Sequence, residues 1–511
     1  MSGIKVRGRQ QDSFPVDAEG RQELSITSPL SGFGELQTAE VTPLLQIDAV
    51  YGVRRNTETF VGASSGSVTA SNGNFVCQTG TGVGGFGVVR SRVNARYRPG
   101  QNLVFQWTVL FDSANATPLS LQAAGPFNST NGFFVGYDGD QFGVMHRTDG
   151  AHEVHEVEIT TPAGGAETVT LTLNSVAYSI PVTSGTAAFN AFEIAEWLSN
   201  PANQTVWQVG QNGNKVVLFA NNAGSLPGTY SISSSGALVA TDARINTGAS
   251  NVETWVYQPD WNGDTLDGSG PSGLTLDVSK GNVYRLDYEY LGYGPAIFYV
   301  KTPVTNRFVE FHRFSFANNR TEPNLQNPAL KIGWVAASLG STTNLTVKGA
   351  SAMAGLVGRL VSSQDTFGDS QTNLSVGTTL EPIVSYRVRL VFQGKTCLKE
   401  LIPKVSYVSP TGNKPVEVVF VFNATLGAQT NWSYIDEAES VTEKDSTATT
   451  ITGGTEVASF VVNGGDTESL SIADIGLDSF ALQRGDTLTI AARVTSGSSV
   501  EVAASLTWTE D

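Results

Sequence analysis

The chain reads as a mainly β protein: two β-sandwich domains of jelly-roll or lectin-like type, a small inserted α/β (ββαββ) module and an extended N-terminal arm. Three observations predict this. Runs rich in Val, Thr and aromatic residues recur at about ten-residue spacing, with Gly, Asn and Pro between them. The 54 glycines supply the turns that so many short strands need. Only one stretch, 187–198, carries a persuasive helical period. At 511 residues the chain is long enough for about three cores on the ~150-residue domain prior.

Residues 1–45 are polar, with Pro15, Pro29 and Pro43 spaced along them and no sustained period. Such a segment cannot bury enough surface to fold alone; it is read as an arm that lies on a neighbouring subunit, ahead of a flexible tail. The first sandwich is predicted over 46–151 and 247–360. At its centre are Val283–Tyr290 and Ala296–Val300, joined by Gly292-Tyr293-Gly294-Pro295. In the first run Tyr284, Leu286, Tyr288 and Tyr290 share one face, because strand side chains alternate. Residues 152–246 form the inserted module. Its helix is predicted over Ala187–Leu198, with Ala191, Ile194 and Leu198 on one face, Ser184 or Thr186 as cap and Asn200-Pro201 as stop. Residues 355–367 are read as a linker, and 368–511 as the second sandwich. There the apolar run Val416–Phe422 has the texture of an interior strand, and the charged stretch 436–450 that of an exposed loop.

Lys+Arg 31 against Asp+Glu 47 gives −16, which argues against nucleic acid or an anionic membrane as a partner. Arg90, Arg92, Arg96 and Arg98, at even spacing, are expected to form a solvated strand face. Two cysteines, Cys77 and Cys397, lie in different predicted domains and read as buried thiols. No apolar run approaches the ~20 residues of a membrane helix, and no apolar signal core opens the chain.

The chemical motifs fail their structural requirements. Gly80-Thr81-Gly82-Val83-Gly84-Gly85 fits GxGxxG, but a strand pattern follows where a dinucleotide site needs a helix. Gly62-Ala63-Ser64-Ser65-Gly66 fits GxSxG without strand–turn–helix flanks, and Gly394-Lys395-Thr396 lacks the first glycine of a phosphate loop. His146, His152 and His155 cluster with Glu153 and Glu156, but His152 and His155, three apart, would point to opposite faces of a strand, so the cluster is read as a polar edge of the insertion junction ahead of a metal site; His312 reads as a packed residue. Asp260, Asn262, Asp264 and Asp267 begin like a calcium loop, but Thr265 and Pro271 stand at its sixth and twelfth positions, so this is no EF-hand. An ordinary Asx-rich turn is the first reading, with calcium, or an acid/base pair of a glycosidase, as alternatives. Trp107, Trp255, Trp334 and Trp508 lie in strands and are read as core. No catalytic residue, cofactor or firm metal site is expected.

YGVRRNTETF at 51–60, GVGGFGVVRSRVNARYRPGQ at 82–101, FFVGYDGDQFGVMHR at 133–147, the 263–300 stretch, NPALKIGWVAA at 327–337 and the closing LTWTED together resemble a family of virion structural proteins of tailed, particularly marine, phages and some large DNA viruses. The resemblance implies a non-enzymatic exterior component of a particle (capsid decoration, tail or fibre), assembled in the host cytoplasm. Its partners would be other virion proteins and copies of itself, as a homo-oligomer for which a trimer is one arrangement. The alternative is a receptor- or carbohydrate-binding adhesin or tail fibre protein that meets a host-surface glycan through loops such as 260–273.

Overall fold

The structure is a computed structural model and describes residues 40–62, 65–303, 306–358, 365–427, 430–464, 468–471 and 480–511. The protein is mainly β, and its ladders are antiparallel, so alternate side chains of each strand fall on opposite faces.

The first sandwich sets a six-stranded sheet against a seven-stranded one. The six-stranded sheet runs Val41–Asp48, Ser351–Val357, Leu103–Val109, Asn282–Tyr288, Ala296–Lys301, Phe308–Phe314. The seven-stranded sheet runs Val252–Tyr257, Gln141–Thr148, Gly132–Asp138, Ser120–Phe127, Lys331–Ser338, Phe86–Ser91, Thr57–Val61. A three-stranded sheet (Thr346–Gly349, Asn74–Gln78, Ser67–Ser71) closes one side. Between the large sheets lies an aromatic core. Tyr284, Leu286 and Tyr288, on one face of their strand as alternation predicts, are fully buried with Trp107, Phe133 and Trp334. Phe133 meets Tyr288 at 5.0 Å between ring centroids. Each such side chain contributes on the order of 1.5–3 kcal/mol by leaving water. The opposite face of the Asn282–Tyr288 strand is not simply polar and wet. Asp287 is buried as well, and it is held by Arg285 at 2.6 Å.

Residues 152–246 hold a second, smaller core. Four strands (Trp207–Asn212, Lys215–Ala223, His152–Thr161, Val239–Asn246) and three more (Val176–Val182, Glu167–Leu173, Ser231–Ser234) pack with one helix, Ala187–Ser199. Ala191, Ile194 and Leu198 are buried on that helix, and the Thr186 hydroxyl accepts from the Phe189 amide at 3.1 Å, so the capped, one-sided helix of the sequence is present. The module has seven strands where the ββαββ pattern expects four: His152–Thr161, Ser231–Ser234 and Val239–Asn246 are additional.

The third core belongs to the C-terminal sandwich. One sheet runs Asp365–Val376, Val500–Glu510, Leu401–Pro410, Glu468–Ser471; the other runs Ser433–Tyr434, Thr442–Asp445, Glu381–Val388, Thr487–Val494, Val416–Phe422, Thr455–Val462. Val416–Phe422 is flanked on both sides and buried along most of its length, as its continuous apolar run requires.

Four local expectations change. Of the predicted arm, residues 1–39 lie outside the described residues, while Val41–Asp48 is an edge strand pairing with Ser351–Val357, and Leu45 is in the core. That same pairing places Gly355 to Val357, read as linker, inside a sheet; 359–364 lie outside the described residues. The charged stretch 436–450 contains the strand Thr442–Asp445, and Ser440, Thr442, Glu443 and Asp445 are buried because each finds a partner. The arginine row is not a solvated face. Arg90 pairs with Glu58, Arg92 with Asp486, Arg96 with Glu400 and Asp511, and Arg98 with Asp511. Three of the four arginines therefore bind the first sandwich to the C-terminal one. Among the described residues no helix is long and apolar enough to cross a membrane.

Candidate functional site

The outer face of the seven-stranded sheet, turned away from the main core, carries its own apolar cluster. Phe127, Phe134 and Met145 are buried there beside Ala123, with Val88, Leu121, Trp255 and Val335 packed around them. The register explains how. Trp255 stands opposite Met145, and Met145 opposite Phe134, so these side chains form one row across three strands. In the next row Tyr257 stands opposite Gly143, and Gly143 opposite Gly136, which leaves the floor beside Tyr257 bare of side chains.

Trp255 is therefore half-buried on the outer face and not in the main core, unlike Trp107, Trp334 and Trp508, which are. The sequence contains the signal: in Val252-Glu253-Thr254-Trp255-Val256-Tyr257 both aromatics share a face with Glu253, and a charged residue marks the wet side. The Trp255 and Tyr257 rings lie nearly parallel, 11° apart with centroids 6.4 Å apart. The Tyr257 hydroxyl donates to Asp138 Oδ2 at 2.9 Å, and that hydrogen bond raises the phenol above its ordinary value. Glu253 holds Arg147 at 2.6 Å, whose guanidinium covers the Phe134 ring at 5.0 Å. Gln141 stands exposed opposite Asp138. At the far edge Phe60 is 44% exposed, and Arg90 lies over its ring at 4.7 Å. The arrangement offers two part-exposed parallel aromatic rings, with a carboxylate, an amide and an ion pair at their rim. That chemistry stacks on and hydrogen-bonds to a ligand; each carboxylate is already held by a neighbour.

The candidate calcium residues have other partners. Asn262 bonds both ways to the backbone of Arg313, at 2.9 and 2.8 Å, and so ties its loop to the Phe308–Phe314 strand. Asp264, 4% exposed, accepts from the Leu266 amide at 2.9 Å and the Ser272 amide at 2.7 Å. Asp267 accepts from the Ser269 amide and hydroxyl and from Thr265. Burial opposes ionisation of Asp264, but its hydrogen bonds outweigh it, and both carboxyls sit below the usual carboxylate range. Asp260 ends a short 3₁₀ turn and is exposed. Among the described residues no three His, Cys, Asp or Glu side chains converge as metal ligands.

All four histidines are buried in packing roles. His146 bonds the Asn324 carbonyl at 2.7 Å and stacks on Phe133. His152 sits between the Ala220 carbonyl and the Ser129 hydroxyl, both at 2.8 Å, and stacks on Phe219. His155 lies between Asp242 and Glu153, with Tyr230 parallel at 3.9 Å. Glu153 is buried without exposure; it takes Arg244 at 2.6 Å and the Gly248 amide at 2.9 Å, closing the neck where the chain leaves the insert. The glycine run at 80–85 leads into the strand Phe86–Ser91 and not into a helix. Residues 63–64 of the GxSxG match lie outside the described residues. The Cys77 and Cys397 thiols are pushed up to about 12 by burial.

No family profile and no curated protein matches the chain. Among solved structures it is similar to a legume lectin-like domain from Entamoeba histolytica, at TM-score 0.21 and 10% identity, over 62% of this chain and 98% of that one. A lectin from Bauhinia forficata in complex with GalNAc gives 0.21 and 10%, over 61% and 97%. Arcelin-5, a lectin-like defense protein from Phaseolus vulgaris, gives 0.21 and 8%, over 60% and 100%. Scores this low leave the functional reading to the chain's own residues.

Proposed function

We propose that this is a non-enzymatic structural protein of a virus particle, carried on its exterior, whose first sandwich serves attachment by holding a host-surface glycan on the outer face of the seven-stranded sheet. The observation that carries the attachment reading is the parallel, part-exposed Trp255–Tyr257 pair, with Asp138 and Gln141 at its rim. Aromatic faces pack on the C–H faces of sugar rings, and rim amides and carboxylates bond their hydroxyls. The site lies on rigid strands, so little ordering cost opposes binding. The virion reading is supported by the sequence resemblance, and the partners it implies are other particle subunits and copies of this chain. A non-enzymatic role is supported by the histidines and buried carboxylates, each of which is committed to packing or to a neighbouring charge or amide.

A glycan array probed with the full chain tests attachment. Wild type is expected to bind a restricted set of glycans, and Trp255→Ala to bind them about two- to tenfold more weakly, since one aromatic contact is worth ~0.5–1.5 kcal/mol. The thermal midpoint of the variant should stay near wild type, as the side chain is half-exposed. Absence of binding to every glycan, or full binding by Trp255→Ala, defeats the attachment reading. Release of reducing ends from a bound glycan defeats the non-enzymatic one. Antibody labelling of intact particles under the electron microscope tests the virion reading separately.

A further inference from the structure

We infer that the cavity between the inserted module and the C-terminal sandwich is a binding site for a small oxyanion, with Arg389 as its cationic ligand. The cavity measures about 140 Å³. On the same measure a single water needs only roughly 10–15 Å³, so the space takes a tetrahedral or carboxylate anion with room for water. One wall is apolar, formed by Val209, Gly210 and Val217 of the insert; the other comes from Arg387 to Val391, Tyr434, Glu443, Gly485 and Thr487 of the sandwich.

Two arginines stand on that wall, in different states. Arg387 is fully engaged: it gives Nε to Glu443 Oε2 at 2.6 Å and Nη2 to the Gln211 carbonyl at 2.7 Å, under the Trp432 ring. Glu443, the one carboxylate of the lining, also accepts from Asn212 at 3.0 Å, so both its oxygens are occupied. Arg389 is only 5% exposed, and no carboxylate pairs with it among the described residues. Its guanidinium lies between the rings of Phe392, at 4.3 Å, and Tyr434, at 4.7 Å. One Nη2 bond reaches the Glu437 carbonyl at 3.0 Å, and Nε has no partner among the described residues. The Thr487 hydroxyl is likewise buried without a partner.

A buried guanidinium without a counter-ion loses several kcal/mol of solvation. The two aromatic faces return ~0.5–2 kcal/mol each, which leaves a deficit. An oxyanion in the adjoining cavity removes it, because the planar fork of Arg matches two oxygens of a carboxylate or phosphate. The protein's net charge of −16 disfavours non-specific anion binding, so saturable uptake of an anion would point to a local cation such as Arg389. Since its walls come from two bodies, an anion held there also stabilises their contact.

The test uses the full chain with inorganic phosphate, sulfate and acetate, each titrated against chloride at matched ionic strength. Wild type should show a saturable rise in thermal midpoint and matching heats by calorimetry, and Arg389→Met should show neither. No saturable response to any of the three overturns the proposal. So does an equal response from Arg389→Met, which would mark an adventitious ion only. Should Arg389→Met fail to fold, wild-type crystals soaked in selenate decide the matter: anomalous density beside Arg389 is expected, and its absence is fatal.

Discussion

At the residue scale the most consequential groups are histidines, three of which the sequence clusters as possible metal ligands and all four of which the fold buries in packing. Burial holds His146, His152 and His312 down to about 4, against an ordinary 6.5. Their folded values lie below their unfolded ones, so between about 6.5 and about 4 the unfolded chain binds more protons than the folded one. Their stabilising contribution is thus complete above about 6.5 and is lost as pH falls through that window, by up to ~3 kcal/mol per residue. Urea midpoints measured from pH 7.5 to 4 should fall steadily below 6.5. His312→Phe, at a site beside Phe314, should flatten the slope; an unchanged slope contradicts the assignment. In the 260–267 loop the sequence showed the oxygen-bearing side chains but not their partners. Asx turns and a calcium loop use the same residues, and only geometry distinguishes them.

At the scale of elements, legibility followed alternation and caps. The helix was readable because its apolar stripe, its Thr186 cap and its Asn200-Pro201 stop agree. Thr186→Ala should cost about 1 kcal/mol, read as a lower urea midpoint, with faster amide exchange in the first turn of the helix. An unchanged midpoint and unchanged exchange would show the cap to be idle. Strands with aromatic inner faces, such as Asn282–Tyr288, were equally clear. Thr442–Asp445 was not, since Thr-Glu-Lys-Asp carries no apolar residue at all. It is a strand because Glu510 satisfies Ser440, Val441 and Thr442, while Arg387 and Asn212 satisfy Glu443. Those partners lie between 56 and 231 residues away, beyond the reach of any local pattern.

At the scale of the whole molecule the C-terminal sandwich is bonded to both the first sandwich and the insert. Arg92, Arg96 and Arg98 reach Asp486, Glu400 and Asp511; the Asn94 amide adds Glu400 at 3.0 Å; Arg55 and Arg92 cover the Phe422 ring. On the insert side the Gly213 amide meets the Trp432 carbonyl at 2.7 Å. Glu400 is 1% exposed, so removing Arg96 leaves a buried carboxylate short of a cation. Arg96→Ala should therefore cost ~3–5 kcal/mol, in the range for breaking a buried pair. Denaturant unfolding of the variant should split into two transitions as the sandwiches uncouple. One unshifted transition would mean that the seam carries no stability.

The sequence alone determined the mainly β fold, the helix of the inserted module, the inward-facing aromatics and the two buried cysteines, because each depends on neighbours within a few positions of the same element. Tertiary structure alone decided that an even row of arginines is a seam and not a wet face, that Trp255 looks outward while three other strand tryptophans look in, and that Arg389 is left without a counter-ion beside a cavity. The physical reason is that the ionic partner of a charge, and which sheet covers a given strand face, are set by segments hundreds of residues away, and alternation records only that a strand has two faces.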